Sequence, residues 1–134
     1  MNRFILAIIS CVLFSSCEVL KSETDSPKLG NTKWVLLSIK DRPVKLSDKA
    51  YLNFEEKDNR IAGKAACNSF FGEYTIVNQT IKFEGVGSTK MFCDGLMDEE
   101  NEIMTAIGNT RRYEIKANML YLYSTDQLLL IFKR

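Results

Sequence analysis

The chain of 134 residues contains no histidine. That absence excludes, within this chain, Ser-His-Asp and Cys-His triads and every zinc site that needs an imidazole. Acid–base work near neutral pH would fall to tuned carboxylates or lysines, and no tight pair of them stands out. Carboxylates far apart in sequence stay open as a glycosidase-like pair, but the expected class is non-enzymatic. Net charge is scarce too: 18 Lys and Arg against 17 Asp and Glu, +1 overall. With no polybasic patch, nucleic acid and anionic lipid lose their usual electrostatic driver, and no nucleic-acid partner is expected. Nor is there a long apolar run. The first, residues 4–14, is too short to cross about 30 Å of hydrocarbon as a helix.

That run has another reading. Arg3 gives a positive start, the stretch to Phe14 is apolar apart from Ser10 and Cys11, and small Ser15 and Ser16 precede Cys17. This is a secretory leader by its chemistry. Phe14-Ser15-Ser16-Cys17 resembles a bacterial lipobox, whose cysteine becomes the acylated N-terminus, although that motif usually has Leu where Phe14 stands. Cys17 is therefore the expected lipid attachment, with a plain signal peptide cut near Ser16 as the alternative. Cys11 competes poorly, because its preceding apolar core is short. Two or more acyl chains would hold the protein on a membrane. Residues 18–30 carry Ser, Thr, Lys, Glu and Asp with few apolar side chains, the composition of a tether. The expected organisation is a lipoprotein signal peptide at 1–16, a tether at 17–30 and a folded domain at 31–134. About 118 residues remain after the leader, one domain's worth. Removing Arg3 with it leaves 17 basic against 17 acidic side chains.

Cysteine is sparse, and its four copies divide. Cys11 leaves with the leader and Cys17 goes to the acyl chains. Cys67 and Cys93 are left as one pair in an oxidising compartment. A bridge between them would close about 25 residues and contribute roughly 3 kcal/mol. Two packed thiols or a redox pair are the other possibilities. Two cysteines do not make a structural zinc site alone, and the acidic run Asp98, Glu99 and Glu100 lacks the loop spacing that calcium needs. No metal or cofactor is expected.

The stretch that organises the chain is Gly63-Lys64-Ala65-Ala66-Cys67-Asn68-Ser69-Phe70-Phe71-Gly72-Glu73-Tyr74, echoed by Ser88-Thr89-Lys90-Met91-Phe92-Cys93. A strand-like segment enters it and another leaves it. Gly63 and Gly72 in such surroundings mark a bulge, a bend or a close backbone approach. Asn68 tolerates a left-handed conformation and bonds to nearby backbone. The structural expectation is that Asn68 and Gly72 shape a bend, Cys67 and Cys93 join it, and Phe70 and Phe71 anchor it. The G-x-x-x-C-N-x-x-x-G-x-Y run, ending on Tyr74, and the T-x-M-x-C run, with Thr89 and Met91, resemble the META domain, the HslJ-like family of bacterial envelope proteins. The resemblance covers residues 34–132. It implies a barrel-like β fold and a place in the cell envelope, anchored in the outer membrane and facing the periplasm or the surface. It also implies a stress-related role, since some members are associated with heat shock or novobiocin resistance. The fold is similar to that of a lipid-binding secretion pilotin.

The remaining pattern agrees. Residues 32–39 hold Trp34, Val35, Leu36, Leu37 and Ile39, strand formers bounded by turns, with Trp34 as a core plug. Residues 51–55 and 61–66 read as a hairpin, and 74–77 with 80–84 as another on the two-residue loop Asn78-Gln79. Gly85 to Gly87 should break that second hairpin. Over residues 96–107 the period changes to 3.6, giving one helix, with Asp94 as its N-cap, a solvated acidic start, Met97 and Met104 packing on the core, and Gly108 at its end. Residues 112–116, 119–123 and 128–132 return to strand. The last is apolar on both faces, as a closing strand would be. The fold class is mainly β: about eight strands in a small antiparallel barrel or strongly bent sheet, with the helix plugging an end. Tyr121, Tyr123, Leu129 and Ile131 are candidate linings for an apolar ligand; an envelope protein is the other candidate partner.

Overall fold

Alternation of apolar and polar residues builds most of this molecule. A computed structural model describes residues 28–134. The strands are β1 (Lys33–Ile39), β2 (Arg42–Pro43), β3 (Ala50–Glu55), β4 (Arg60–Ala65), β5 (Asn68–Val77), β6 (Thr80–Ser88), β7 (Arg112–Lys116), β8 (Met119–Tyr123) and β9 (Leu128–Lys133), and the helix α1 is Met97–Asn109. Along β4, and along β5 as far as Tyr74, every second residue is buried, so one face of each strand lines the interior. All the strand pairings are antiparallel. Among the described residues they form one nine-stranded bent sheet, which closes in a ring because β9 pairs with both β8 and β1. The doubly apolar run ending in Phe132 is thus the closing strand, as its pattern requires.

The ring is narrowest in hydrogen bonding at β6–β7, where one residue pair, Thr80 with Arg112, makes the junction. The chain between those strands is α1. It packs against β4, β6 and β9. These are not neighbours, so the helix crosses one end of the ring. Its buried Ile103, Ala106 and Ile107 join a core that includes Trp34, Leu52, Phe54, Ile61, Phe70, Ile81, Leu122, Leu130 and Phe132. Trp34 is fully buried and its Nε1 donates to the Leu29 carbonyl at 3.0 Å, a core plug with its one polar atom satisfied. Leu29 is buried and Gly30 bridges Phe54, so the last residues of the expected tether are seated on the domain. Residues 1–27 lie outside the described residues.

The turns follow local chemistry. Val77 pairs with Thr80 around the Asn78-Gln79 loop, and Asn78 takes φ 57°, a region asparagine tolerates. Among the described residues the strands number nine, against the eight or so that the pattern predicts, because the two-residue β2 escapes any periodicity argument. Four expectations need correction. β6 runs through Gly85 to Gly87: the register shifts opposite Gly72 rather than ending, so the glycines make a bulge. Residues 89–93, which as the echo of the central stretch should carry Cys93 at the end of an extended segment, form no strand. At the helix start Leu96, not Asp94, stands at the N-cap, without a side-chain cap. At the other end Gly108 lies inside the helix. There Thr110 Oγ1 donates to the Ala106 carbonyl, and Arg111 Nη1 to the carbonyls of Gly108 and Thr110.

Gly63 is needed for space. A Cβ there would overlap the Tyr51 carbonyl oxygen and sit 2.5 Å from Phe70 Cζ. Gly63→Ala is expected to lower stability by about 1–3 kcal/mol, because Phe70 or β3 must move. A urea titration followed by tryptophan fluorescence checks this; an unchanged midpoint would show that the ring of Phe70 yields freely.

Candidate functional site

Between β4 and β5 the chain reverses through Ala66 and Cys67. Ala65 pairs with Asn68, and Ala66 takes φ 65°. The reversal sets Asn68 as the first residue of β5 with its side chain inward. That side chain uses its full bonding capacity. Asn68 Nδ2 donates to the Met91 carbonyl at 2.9 Å and to Glu100 Oε1 at 2.6 Å. Its Oδ1 accepts from Thr89 Oγ1 at 2.7 Å and from the Met91 N–H at 2.8 Å. Thr89 is itself fixed to β5: its N–H donates to the Ser69 carbonyl, and its Oγ1 accepts from the Ser69 N–H. One asparagine therefore ties β5, the irregular 89–93 segment and α1 together.

Glu100 completes the cluster. It is only 5% exposed, and its Oε2 accepts from the N–H groups of Cys67 at 3.2 Å and Asn68 at 2.7 Å. Among the described residues it has no cationic partner. Three N–H donors and its position in the first turn of α1, the positive end of the helix dipole, stabilise the buried carboxylate instead. Beside it Cys67 and Cys93 are joined in a disulfide with Cα atoms 6.2 Å apart. The pair is neither two packed thiols nor an open dithiol. The Cys93 N–H meets Met97 Sδ at 3.4 Å.

Of the residues singled out in the sequence, Cys67, Asn68, Thr89 and Cys93 converge here. Met91 does so through its backbone alone, since its side chain is 59% exposed. Gly63 lies under the Phe70 ring nearby. Gly72 sits apart, opposite the β6 bulge and against Val86, so the bend assigned to Asn68 and Gly72 together is really a hairpin turn and a separate bulge. Phe70 is buried, but Phe71 is 51% exposed and anchors nothing. Tyr74 is also remote. It packs edge-on against Phe54 at 5.2 Å, and burial pushes its phenol above the ordinary range, with Glu56 and Tyr113 adding to the effect. Its stabilising share is complete below pH about 10 and lost as pH rises through the shifted value. Cys17 lies outside the described residues.

The sequence reading missed Glu100, treating the acidic run as solvated. Its position was a signal: Leu96, Glu100, Ile103 and Ile107 share one helical face, so Glu100 had to point inward with the apolar stripe. The candidate cavity linings divide by burial. Tyr121 and Tyr123 are half-exposed and stack on each other with ring centres 6.5 Å apart, with the Arg112 guanidinium 4.0 Å over Tyr123. Leu129 is buried and Ile131 half-exposed.

Chemically the cluster binds itself. Its sulfurs are bonded to each other and its buried polar atoms are all partnered within the protein. Among the described residues no group of three or more Cys, Asp or Glu is arranged to hold a metal ion, and no helix is long and apolar enough to cross a membrane. Fold and site together define a class: a small antiparallel sheet closed in a ring, crossed by one helix, and pinned by a disulfide beside a buried polar cluster.

The chain belongs to the META domain family, whose model matches residues 27–134. Three solved structures share the fold. A protein determined by NMR is 28% identical, with TM-score 0.64 over 78% of this chain and 90% of its own. A second NMR structure, from Burkholderia xenovorans, is 22% identical with TM-score 0.66, over 79% and 83%. A DUF4847 family protein from Bacteroides vulgatus is 14% identical with TM-score 0.61, over 78% and 93%. No curated protein matches.

Proposed function

We propose that this META domain protein is a non-enzymatic, lipid-anchored protein of the cell envelope, acting by binding under stress conditions. The observation that carries the reading is how its cysteines divide. Cys67 and Cys93 are joined to each other, so of the cysteines that follow the leader only Cys17 remains for acylation. A disulfide fits an exported chain, because cytosolic thiols are kept reduced. The groups of the candidate site are structural rather than catalytic, since its carboxylate and amide are committed to holding three segments together. An apolar ligand inside the ring has less support: Trp34, Phe54, Phe70, Phe83 and Phe132 occupy the interior.

The full chain expressed in a Gram-negative host with labelled palmitate is expected to take up label and to sediment with membranes. Cys17→Ala is expected to lose both. Label persisting in the variant, or absent from the wild type, would overturn the anchor.

A further inference from the structure

We propose that the outer face of β8, β9 and β1, with the basic residues beside it, docks on the surface of an anionic phospholipid bilayer. The proposal rests on the anchored reading above and adds which way the domain faces. Strand alternation leaves an apolar strip on the outside of the sheet. Leu120, Leu122 and Phe132 point into the core, so Met119, Tyr121, Tyr123, Ile131 and Val35 point outward, each half-exposed. Register sets them side by side: Met119 pairs with Lys133 and Lys133 with Val35, while Tyr121 pairs with Ile131. No basic run marks this face in the sequence; strand pairing assembles it.

Three observations select the occupant. The first is charge. The strands β7, β8, β9 and β1 carry four basic side chains, Lys33, Arg112, Lys116 and Lys133, against one acidic, Glu114. Glu114 is shared by Arg112 at 2.6 Å and Lys116 at 2.7 Å; among the described residues Lys33 and Lys133 have no ion-pair partner. In contrast α1 holds Asp98, Glu99, Glu100 and Glu102 and no basic residue. The small net charge thus conceals a polarity, which turns the strand face toward an anionic surface and α1 away from it. The second is the pair of tyrosines. Amphipathic rings beside long cationic side chains suit the boundary between water and lipid. The third is where the chain enters. Gly30 bridges Phe54 near the β3–β4 turn, and β1 runs from there to the opposite end, where Arg42 meets Glu99 and Glu102 of α1. The entry is therefore at the end away from the acidic helix. Eleven residue steps separate Cys17 from Lys28, at most about 40 Å of chain, so acylated Cys17 keeps the face within reach of a bilayer. A second copy of the chain fits the face less well, because it would set the unpaired Lys33 and Lys133 of both copies against each other.

Photo-crosslinking tests this. The full chain is made in a Gram-negative host with labelled palmitate, carrying p-benzoylphenylalanine in place of Ile131 or, as the control, in place of Asn101 on the exposed side of α1. It is reconstituted in vesicles of phosphatidylglycerol mixed with phosphatidylcholine, or of phosphatidylcholine alone. In the mixed vesicles, lipid adducts are expected from position 131 and on the order of tenfold fewer from position 101. Lys33→Gln/Lys133→Gln should cut the yield at position 131 on the order of tenfold, and so should phosphatidylcholine alone. The lipid comparison uses one and the same protein, so a folding defect does not mimic its outcome. The proposal fails if positions 131 and 101 give equal yields, if the yield at 131 ignores the lysines and the lipid charge, or if the adducts at 131 are to a second copy of the chain. The palmitate label reports the anchor separately. A labelled chain with equal yields keeps the anchor and loses the face, whereas an unlabelled chain that still gives adducts at 131 with mixed vesicles keeps the face and loses the anchor.

Discussion

An Asn68→Asp protein is expected to be about 3–5 kcal/mol less stable than the wild type at neutral pH, and to recover part of that loss as pH falls toward about 5. Aspartate has nearly the shape of asparagine, so packing is hardly changed. What changes is the atom facing Glu100 Oε1, where an N–H donor at 2.6 Å becomes a carboxylate oxygen. The same exchange removes the donor to the Met91 carbonyl. Rotating the new side chain does not help, because Thr89 Oγ1 and the Met91 N–H need an acceptor on the other side. Folding the variant then requires two buried carboxylates to share a proton. The folded state binds more protons than the unfolded one, so stability falls as pH rises. Urea midpoints measured from pH 5 to 8 give the sign directly. If the loss at neutral pH stays below about 1 kcal/mol, or if it deepens on acidification, the buried cluster does not hold these segments as described.

Removing the bridge is the second large effect. Cys67 and Cys93 are 26 residues apart, and freeing that loop in the unfolded chain costs about 3.5 kcal/mol of stability in the chain-entropy model. The bridge and the Asn68 bonds close nearly the same loop, one from 67 to 93 and the other from 68 to 91. Their effects should therefore not add. In a Cys67→Ala/Cys93→Ala background, adding Asn68→Ala is expected to leave the Met91 amide, protected in the wild type, exchanging freely with solvent. Hydrogen exchange at that amide together with chemical denaturation checks both points. A bridge-free protein within about 1 kcal/mol of the wild type would mean that the 89–93 segment stays docked without covalent help.

How the cluster was and was not legible follows from these same residues. Strands and hairpins repeat a pattern over neighbouring positions, so Asn78-Gln79 and the doubly apolar closing strand announced themselves locally. Cys67, Asn68, Thr89 and Cys93 stood out through their spacing and residue types. The place of Glu100 on the apolar face of α1 was legible too, but its partners were not, because Cys67 and Asn68 are 33 and 32 residues away. The outward turn of Phe71 was also hidden. Phe70 and Phe71 are adjacent on a strand, so alternation required one of them to face solvent, but only the register with β4 decided which.

By itself the sequence determined what neighbours along the chain can settle: alternating strands, one helix, tight turns at tolerant residues, and the exclusion of histidine chemistry. Tertiary structure alone decided that the last strand closes the ring on β1, that the cysteines are bonded to each other, and that Glu100 is met there by the N–H groups of Cys67 and Asn68. Those outcomes depend on groups tens of residues apart reaching bonding distance. No local period encodes that, because it is set by how the sheet bends and where the helix crosses it.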